Sequence, residues 1–330
     1  MRRCGDERAG RLDPRAAGPC CRSSGARPTR PLRHSLLLFL LLALVAAACS
    51  STDGAAKRGP IRIGGFDFAE STILANVYGG ALRGRGYAVD IRAGLGSREV
   101  VTPALEKDEI DAYVGYAATE LEFLNGGAGE ATSDAAATVG RLRARLRPQG
   151  LTALEASAAV NTNAFAVTKA TADRYNLRRL SDLAPLATRL VFGGPTECPA
   201  RPFCLAGLER VYGLRFKDFR ALDPGGPLSK DALEQGQVDV ALVFSSDGAL
   251  GARGLVVLED DKHLQEADNI VPLVRSAVAS RDVTKILNEV SAALTTADLG
   301  KMNKRSEDED PQALAETWLE EHGLARRTNG

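Results

Sequence analysis

Two stretches of this chain repeat one another. Ala104-Leu105-Glu106-Lys107-Asp108-Glu109-Ile110-Asp111 returns about 128 residues later as Ala232-Leu233-Glu234-Gln235-Gly236-Gln237-Val238-Asp239. Smaller echoes precede it. Ile61 to Gly65 matches Leu190-Val191-Phe192-Gly193-Gly194, and Val77-Tyr78-Gly79 matches Val211-Tyr212-Gly213. A duplication on this scale predicts two similar lobes. In the first copy, Ile61-Arg62-Ile63 alternates as a strand does. Ile73, Leu74, Val77, Tyr78, Ala81 and Leu82 then share one helical face. Tyr87 to Ala93 reads as a second strand. Ser97 to Leu105 reads as a second helix, with Ser97 at its N-cap and Glu99 in its first turn. Ile110 to Val114 is the third strand. The order βαβαβ predicts an α/β fold with a parallel sheet covered on both faces.

The repeat also points to a site. Each copy runs from its aspartate through four residues to an aromatic ring, Tyr116 or Phe244. A small hydroxyl residue follows, Thr119 in one copy and Ser245 or Ser246 in the other. Ligands of open parallel sheets bind beyond the carboxyl ends of the strands. Either ring alone reads as a core aromatic. The matched position in both copies places the two rings in one cleft between facing lobes. Val160 to Asn163 is the expected crossing outward, and Asn269 to Val274 the return. Helices over Val283 to Leu294 and Pro311 to His322, with Trp318, then complete the first lobe. Lobe 1 is therefore expected over residues 60–161 plus 270–330, and lobe 2 over 162–269. Two crossings make a hinge able to close around a ligand.

Leu36 to Ala48 is an unbroken apolar run of 13 residues behind Arg27, Arg30 and Arg33. It is too short to span a bilayer core of about 30 Å and fits the h-region of an export signal. Residues 1–48 are read as a cleaved signal region. The first 30 residues, with Cys4, Cys20, Cys21 and many Arg, are either a long n-region or the product of an early start codon. Ala46-Ala47-Ala48-Cys49 with its polar sequel resembles a bacterial lipobox. That resemblance implies cleavage before Cys49, a lipid on its sulfur and a tether over residues 49–59. An ordinary signal peptide with an incidental cysteine is the alternative.

Nine of the 42 basic and three of the 42 acidic residues precede Cys49, which leaves 33 against 39, a net charge of about −6. A nucleic-acid partner would require a basic face, so none is expected. Cys198 and Cys204, with five residues between them, remain downstream of Cys49. In an exported chain they read as a disulfide closing a short loop. A metal site would require more ligands, and His34, His263 and His322 are too scattered to add them, so neither metal nor cofactor is expected. The sequence holds no Gly-x-Ser-x-Gly elbow and no His near a plausible nucleophile, which argues against an enzyme.

Several stretches, in order from about residue 60 to 325, resemble the osmoprotectant-binding family of ABC importers, whose ligands are glycine betaine, choline, carnitine and proline betaine. They include Gly96-Ser97-Arg98-Glu99-Val100-Val101, Asn161-Thr162-Asn163-Ala164-Phe165-Ala166-Val167, Phe192-Gly193-Gly194-Pro195, Gly225-Gly226-Pro227-Leu228 and Val243-Phe244-Ser245-Ser246-Asp247-Gly248. The resemblance implies a type II periplasmic-binding-protein fold, capture of a small solute in the interlobe cleft, and delivery to the permease and ATPase subunits of an importer. A monomer held at the membrane by the lipid on Cys49 is expected. The resemblance further implies an aromatic cage for a quaternary ammonium, where cation–π attraction is worth roughly 0.5–2 kcal/mol per ring.

Carried over residue by residue, Tyr116 matches the first cage tyrosine and Thr119 the hydroxyl three positions on. Phe244 stands at the second-lobe tyrosine position and lacks its hydroxyl. Asn163 lies at or next to another cage tyrosine. Asp268 stands where the family often has tyrosine. Phe66-Asp67-Phe68 replaces a Lys-Asn-Phe type sequence, with Phe66 or Phe68 as candidate replacement rings and Asp67 as a candidate counter-charge. Arg201 matches the ligand-facing arginine, a loop ion pair with Glu197 being the alternative. The thinned cage leaves a second reading open, in which the same fold binds a non-betaine polar or aromatic ligand for uptake or sensing.

Overall fold

The computed structural model describes residues 59–325. The signal region, Cys49 and the tether as far as residue 58 lie outside the described residues. The chain opens with β1 (Ile61–Gly64), α1 (Ala69–Gly84), β2 (Val89–Arg92), α2 (Arg98–Glu106) and β3 (Ala112–Tyr116). It continues with α3 (Ala117–Leu124), α4 (Ala135–Leu146) and β4 (Leu151–Ala153). The second copy holds β5 (Asn163–Thr168), α5 (Lys169–Tyr175), β6 (Val191–Gly194), β7 (Asp218–Ala221), α6 (Pro227–Glu234), β8 (Val240–Phe244) and β9 (Leu255–Val257). Then come β10 (Ile270–Arg275), α7 (Arg281–Ala293), α8 (Thr296–Arg305) and α9 (Pro311–Glu321).

The strands form two five-stranded sheets, ordered β2-β1-β3-β10-β4 and β7-β6-β8-β5-β9. The orders match position for position, so the echo in the sequence is an echo in topology. Its aspartates do the same work in each sheet. Asp111 accepts from the Arg62 backbone N–H at 2.9 Å, and Asp239 from the Val191 backbone N–H at 2.8 Å. Each carboxylate pins the start of a central strand to the turn entering its neighbour. Asp111 also pairs with the guanidinium groups of Arg62 and Arg275, at 2.8 and 3.0 Å.

The sheets are mixed rather than parallel throughout. β1 runs parallel to β2 and β3, while β10 is antiparallel to β3 and β4. In the second sheet β5 is antiparallel to β8 and β9. The cause is the crossing. A segment arriving from the other lobe enters at the end where β3 or β8 leaves, so it must run the opposite way. Val160 and Asn269 form an antiparallel bridge that sets the two crossing segments side by side. Beyond it, Ile270 lies opposite Tyr116 and Asn163 opposite Phe244. Both rings therefore stand where the chain changes lobe.

Other expectations need correcting. The second strand, Val89–Arg92, is a shorter piece within the expected 87–93, and the third, Ala112–Tyr116, is shifted by two residues from the expected 110–114. Ser97 occupies the N-cap position of α2 without capping it, because its hydroxyl donates to Glu99 at 2.6 Å. α8 was not foreseen; only Leu299 and Met302 of it are buried, too few for a visible apolar stripe. α9 lies against α1, burying Leu314, Trp318 and Leu319. Each such side chain contributes about 1.5–3 kcal/mol. Tyr78 of α1 and Ser291 of α7 share a hydrogen bond of 3.0 Å.

Candidate functional site

All nine residues singled out in the sequence (Phe66, Asp67, Phe68, Tyr116, Thr119, Asn163, Arg201, Phe244 and Asp268) line one cavity of ≈ 110 Å³. Its walls come from both sheets. Phe66, Asp67 and Phe68 follow β1, Tyr116 ends β3, and Phe244 ends β8. The carboxyl ends of the strands thus deliver the rings, as an open α/β sheet requires.

The rings form a continuous surface. Phe66 and Phe68 are stacked with centroids 5.8 Å apart and planes 4° apart. Tyr116 stands 6.4 Å from Phe66 and 6.1 Å from Phe68. Phe68 meets Phe244 of the other sheet at 5.3 Å, so the aromatic wall crosses between the lobes. Gly225 supports that contact. It has φ of 67°, and a Cβ there would stand 3.1 Å from Phe244 Cδ2. The position needs glycine for its backbone, and any side chain would press on the ring.

A polar network fixes the rings. The buried Glu70 accepts from Tyr116 Oη at 2.8 Å, Asn161 Nδ2 at 2.8 Å and Ser246 Oγ at 2.6 Å, and also from Asn303 Nδ2. These partners belong to β3, a crossing segment, the turn after β8, and α8. One carboxylate therefore ties both lobes and the hinge together. Burial, followed by the Glu70 charge, pushes the Tyr116 hydroxyl well above its usual range, so it stays a donor.

Asp268 is 4% exposed and accepts from Thr119, from its backbone N–H at 2.8 Å and from its hydroxyl. Burial raises its pKa to about 6 against the pull of the Thr119 bonds and of the nearby Arg98 charge. It forms no ion pair among the described residues. Asp67, by contrast, is exposed at the cavity rim.

Cys198 and Cys204 are disulfide-bonded. Their loop carries Arg201, Pro202 and Phe203 into the cavity wall. Asn163 Nδ2 and Gln265 Nε2 both donate to the Phe203 carbonyl at 3.0 Å, so Asn163 also holds the loop in place. Arg201 Nη2 reaches both oxygens of Glu99 in α2 at 2.8 Å. Glu197 is 3.9 Å away, so the loop pair weighed as the alternative for Arg201 is secondary to one that joins the lobes. Burial, with the Arg98 charge next, lowers the Arg201 pKa.

The match to known proteins agrees with this geometry. A family model described as the substrate binding domain of an ABC-type glycine betaine transport system covers residues 59–321. The chain belongs to that family. A glycine-betaine-binding protein of Pseudomonas aeruginosa is 32% identical over 302 residues, 86% of this chain and 95% of that protein. The carnitine transport binding protein OpuCC of Listeria monocytogenes is 26% identical, over 89% and 97% of the respective chains. A solved glycine betaine/carnitine/choline ABC transporter structure has a TM-score of 0.63 at 24% identity, covering 80% of this chain and 99% of that one. Lactococcal OpuAC, closed on glycine betaine, gives 0.58 at 16% identity, covering 81% and 97%. These structures establish the type II periplasmic-binding-protein fold.

For a family member with so few of the expected tyrosines, the ring count is higher than the sequence suggests. Phe123 and Phe203 also line the cavity, making six aromatic residues with Phe66, Phe68, Tyr116 and Phe244. Phe123 lies one helical turn beyond Thr119 on α3, a spacing that puts both on one face. Phe203 adjoins Arg201 in the disulfide loop. Arg98 and Asn161 also line the cavity. Both stood in plain view within the family-like stretches, without a signal to mark them as cavity residues.

Proposed function

We propose that this protein captures a small quaternary-ammonium solute of the betaine type in the interlobe cavity and hands it to the permease of an ABC importer. One observation carries the reading: six aromatic residues from both lobes line a single cavity whose wall also holds the buried Asp268, which forms no ion pair among the described residues. Aromatic faces attract a desolvated cation by roughly 0.5–2 kcal/mol each. A carboxylate adds a fixed counter-charge where the family often has another tyrosine. Family membership and the names of the relatives support the solute class.

The ring variants test it. Phe244→Ala removes one ring, and its affinity for a betaine-type solute should fall about 2- to 30-fold. Tyr116→Ala should lose at least as much, since it also removes a donor to Glu70. Affinities unchanged in both variants would place the rings in the core and the ligand elsewhere.

The export segment and Cys49 extend the proposal to an extracytoplasmic receptor anchored by a lipid. Two or more acyl chains make such an anchor stable. Cys49→Ala should move the protein from the membrane fraction to the soluble exported fraction. Retention of that variant at the membrane would contradict the anchor.

A further inference from the structure

We infer that Glu70, which stands behind the cavity wall, sets the solute preference through Tyr116: its buried negative charge makes the cavity favour a cationic head group over an uncharged one of the same shape. This rests on the betaine-type reading above and names a positioning residue, out of reach of the solute, that gives the rings their preference for charge.

The rings of the cavity are not equivalent. The Arg98 guanidinium lies over Phe66, 5.1 Å from the ring centroid, and that of Arg201 lies over Phe123 at 5.7 Å. Those two rings already meet a cation of the protein, which repels a second one. Phe68, Tyr116 and Phe244 are neighbours, with Phe68 standing 6.1 Å from Tyr116 and 5.3 Å from Phe244. Among the described residues no guanidinium or ammonium lies over any of these three. Tyr116 alone of the three carries a hydroxyl, and it donates to Glu70 Oε1 at 2.8 Å. Hydrogen-bonded groups polarise one another in a low-dielectric interior, and bonds to a charged acceptor are the strong ones. A phenol that donates to a carboxylate gains electron density on its ring. A richer ring face attracts a cation more strongly.

The surroundings of Glu70 preserve its charge. It is 4% exposed, and the four groups that bond it, from Tyr116, Asn161, Ser246 and Asn303, are all neutral. It forms no ion pair among the described residues. Buried carboxylates are ordinarily paired with a cation. Glu120 is one that is, with Arg98 Nε at 2.8 Å from its Oε1. A carboxylate held only by neutral donors keeps its field for a charge that arrives nearby, and that field is weakly screened where water is excluded. The same bonds aim it. Asn161 belongs to the crossing segment, and Ser246 follows Phe244 by two residues, so Glu70 fixes the Tyr116 ring against the Phe244 side of the cleft.

The test is calorimetric titration of the purified protein with glycine betaine and choline, and with tert-butylacetate and tert-butylethanol, which put carbon where the first two carry quaternary nitrogen. Glu70→Gln keeps the size of the side chain and removes its charge, and Asn303 Oδ1, buried without a partner, can turn to accept from the new amide. This variant should bind glycine betaine and choline about 10-fold more weakly, and the carbon-headed analogues with a change of less than about twofold, as expected of one charge acting across the width of a ring. Tyr116→Phe leaves the ring and the carboxylate in place and cuts the bond between them. It should weaken the cationic solutes about 2- to 5-fold. Cationic solutes bound as tightly by Glu70→Gln as by the wild type, or cationic and carbon-headed solutes weakened alike, overturn this inference and leave the betaine-type site standing. If Glu70→Gln melts too low to titrate, or the analogues bind too weakly to measure, Tyr116→Phe decides, and unchanged affinity for glycine betaine and choline in that variant overturns the inference. Failure of glycine betaine and choline to bind the wild type overturns both readings.

Discussion

Asp268 is taken out of water, yet among the described residues its carboxylate has only Thr119 as a hydrogen-bond partner. Arg98 and Glu120 are the charges that act on it most strongly, in opposite senses. Its pKa rises from 3.8 to about 6. The folded protein then holds a proton between about pH 4 and 6 that the unfolded chain has released. Stability falls as pH rises through that window. The full penalty, about 3 kcal/mol for two pKa units, applies above pH 6. Asp268→Asn should therefore raise the melting temperature at pH 8 and leave it little changed at pH 4, while weakening binding of a cationic solute. A stability difference that does not vary with pH would show that Asp268 does not titrate this way. At this scale the sequence told which residue types stood near the cleft, since all nine candidates reach it. It could not tell Arg98 from a surface arginine. What distinguishes Arg98 is Glu120, 22 positions away and brought to it only by folding.

The disulfide loop is the element on which the second lobe's share of the cavity depends. Cys198–Cys204, with a sequence separation of 6, is a short closure, and its entropic contribution is about 2 kcal/mol. Its larger consequence is local, because the loop fixes Arg201 and Phe203 between the bonds from Asn163 and Gln265. Replacing both cysteines with serine should lower stability by about that amount and weaken solute binding as well. Loss of stability with affinity unchanged would mean that the loop holds its shape without the bridge. Elements were legible in the sequence where their apolar spacing was strong, as in α1 and in the repeated strand-helix units. α8 was not, because its sequence Thr-Ala-Asp-Leu-Gly-Lys-Met-Asn-Lys-Arg buries little and is held instead through contacts such as those of Asn303 with Glu70 and Ser246. The antiparallel entry of β5 and β10 was equally hidden. It follows from which lobe the chain arrives from, and no local pattern records that.

At the scale of the whole molecule, the contacts between the two lobes include three beside the cavity. Phe68 packs on Phe244, Arg201 pairs with Glu99, and Glu70 gathers donors from both lobes and the hinge. The cavity sits among these contacts, so whatever fills it also touches the surfaces that closure brings together. Duplication explains why such a site exists. Two copies of one sheet, joined by paired crossings at Val160 and Asn269, turn the carboxyl ends of their strands toward each other. The internal repeat made that arrangement readable, and the choice of solute depends on side chains that the repeat does not share. The most direct measurement is isothermal titration of glycine betaine, proline betaine, carnitine and choline into the purified protein. Saturable one-site binding of at least one of them, with a Kd below about 1 mM, is the predicted result. No heat of binding from any of the four would contradict the account.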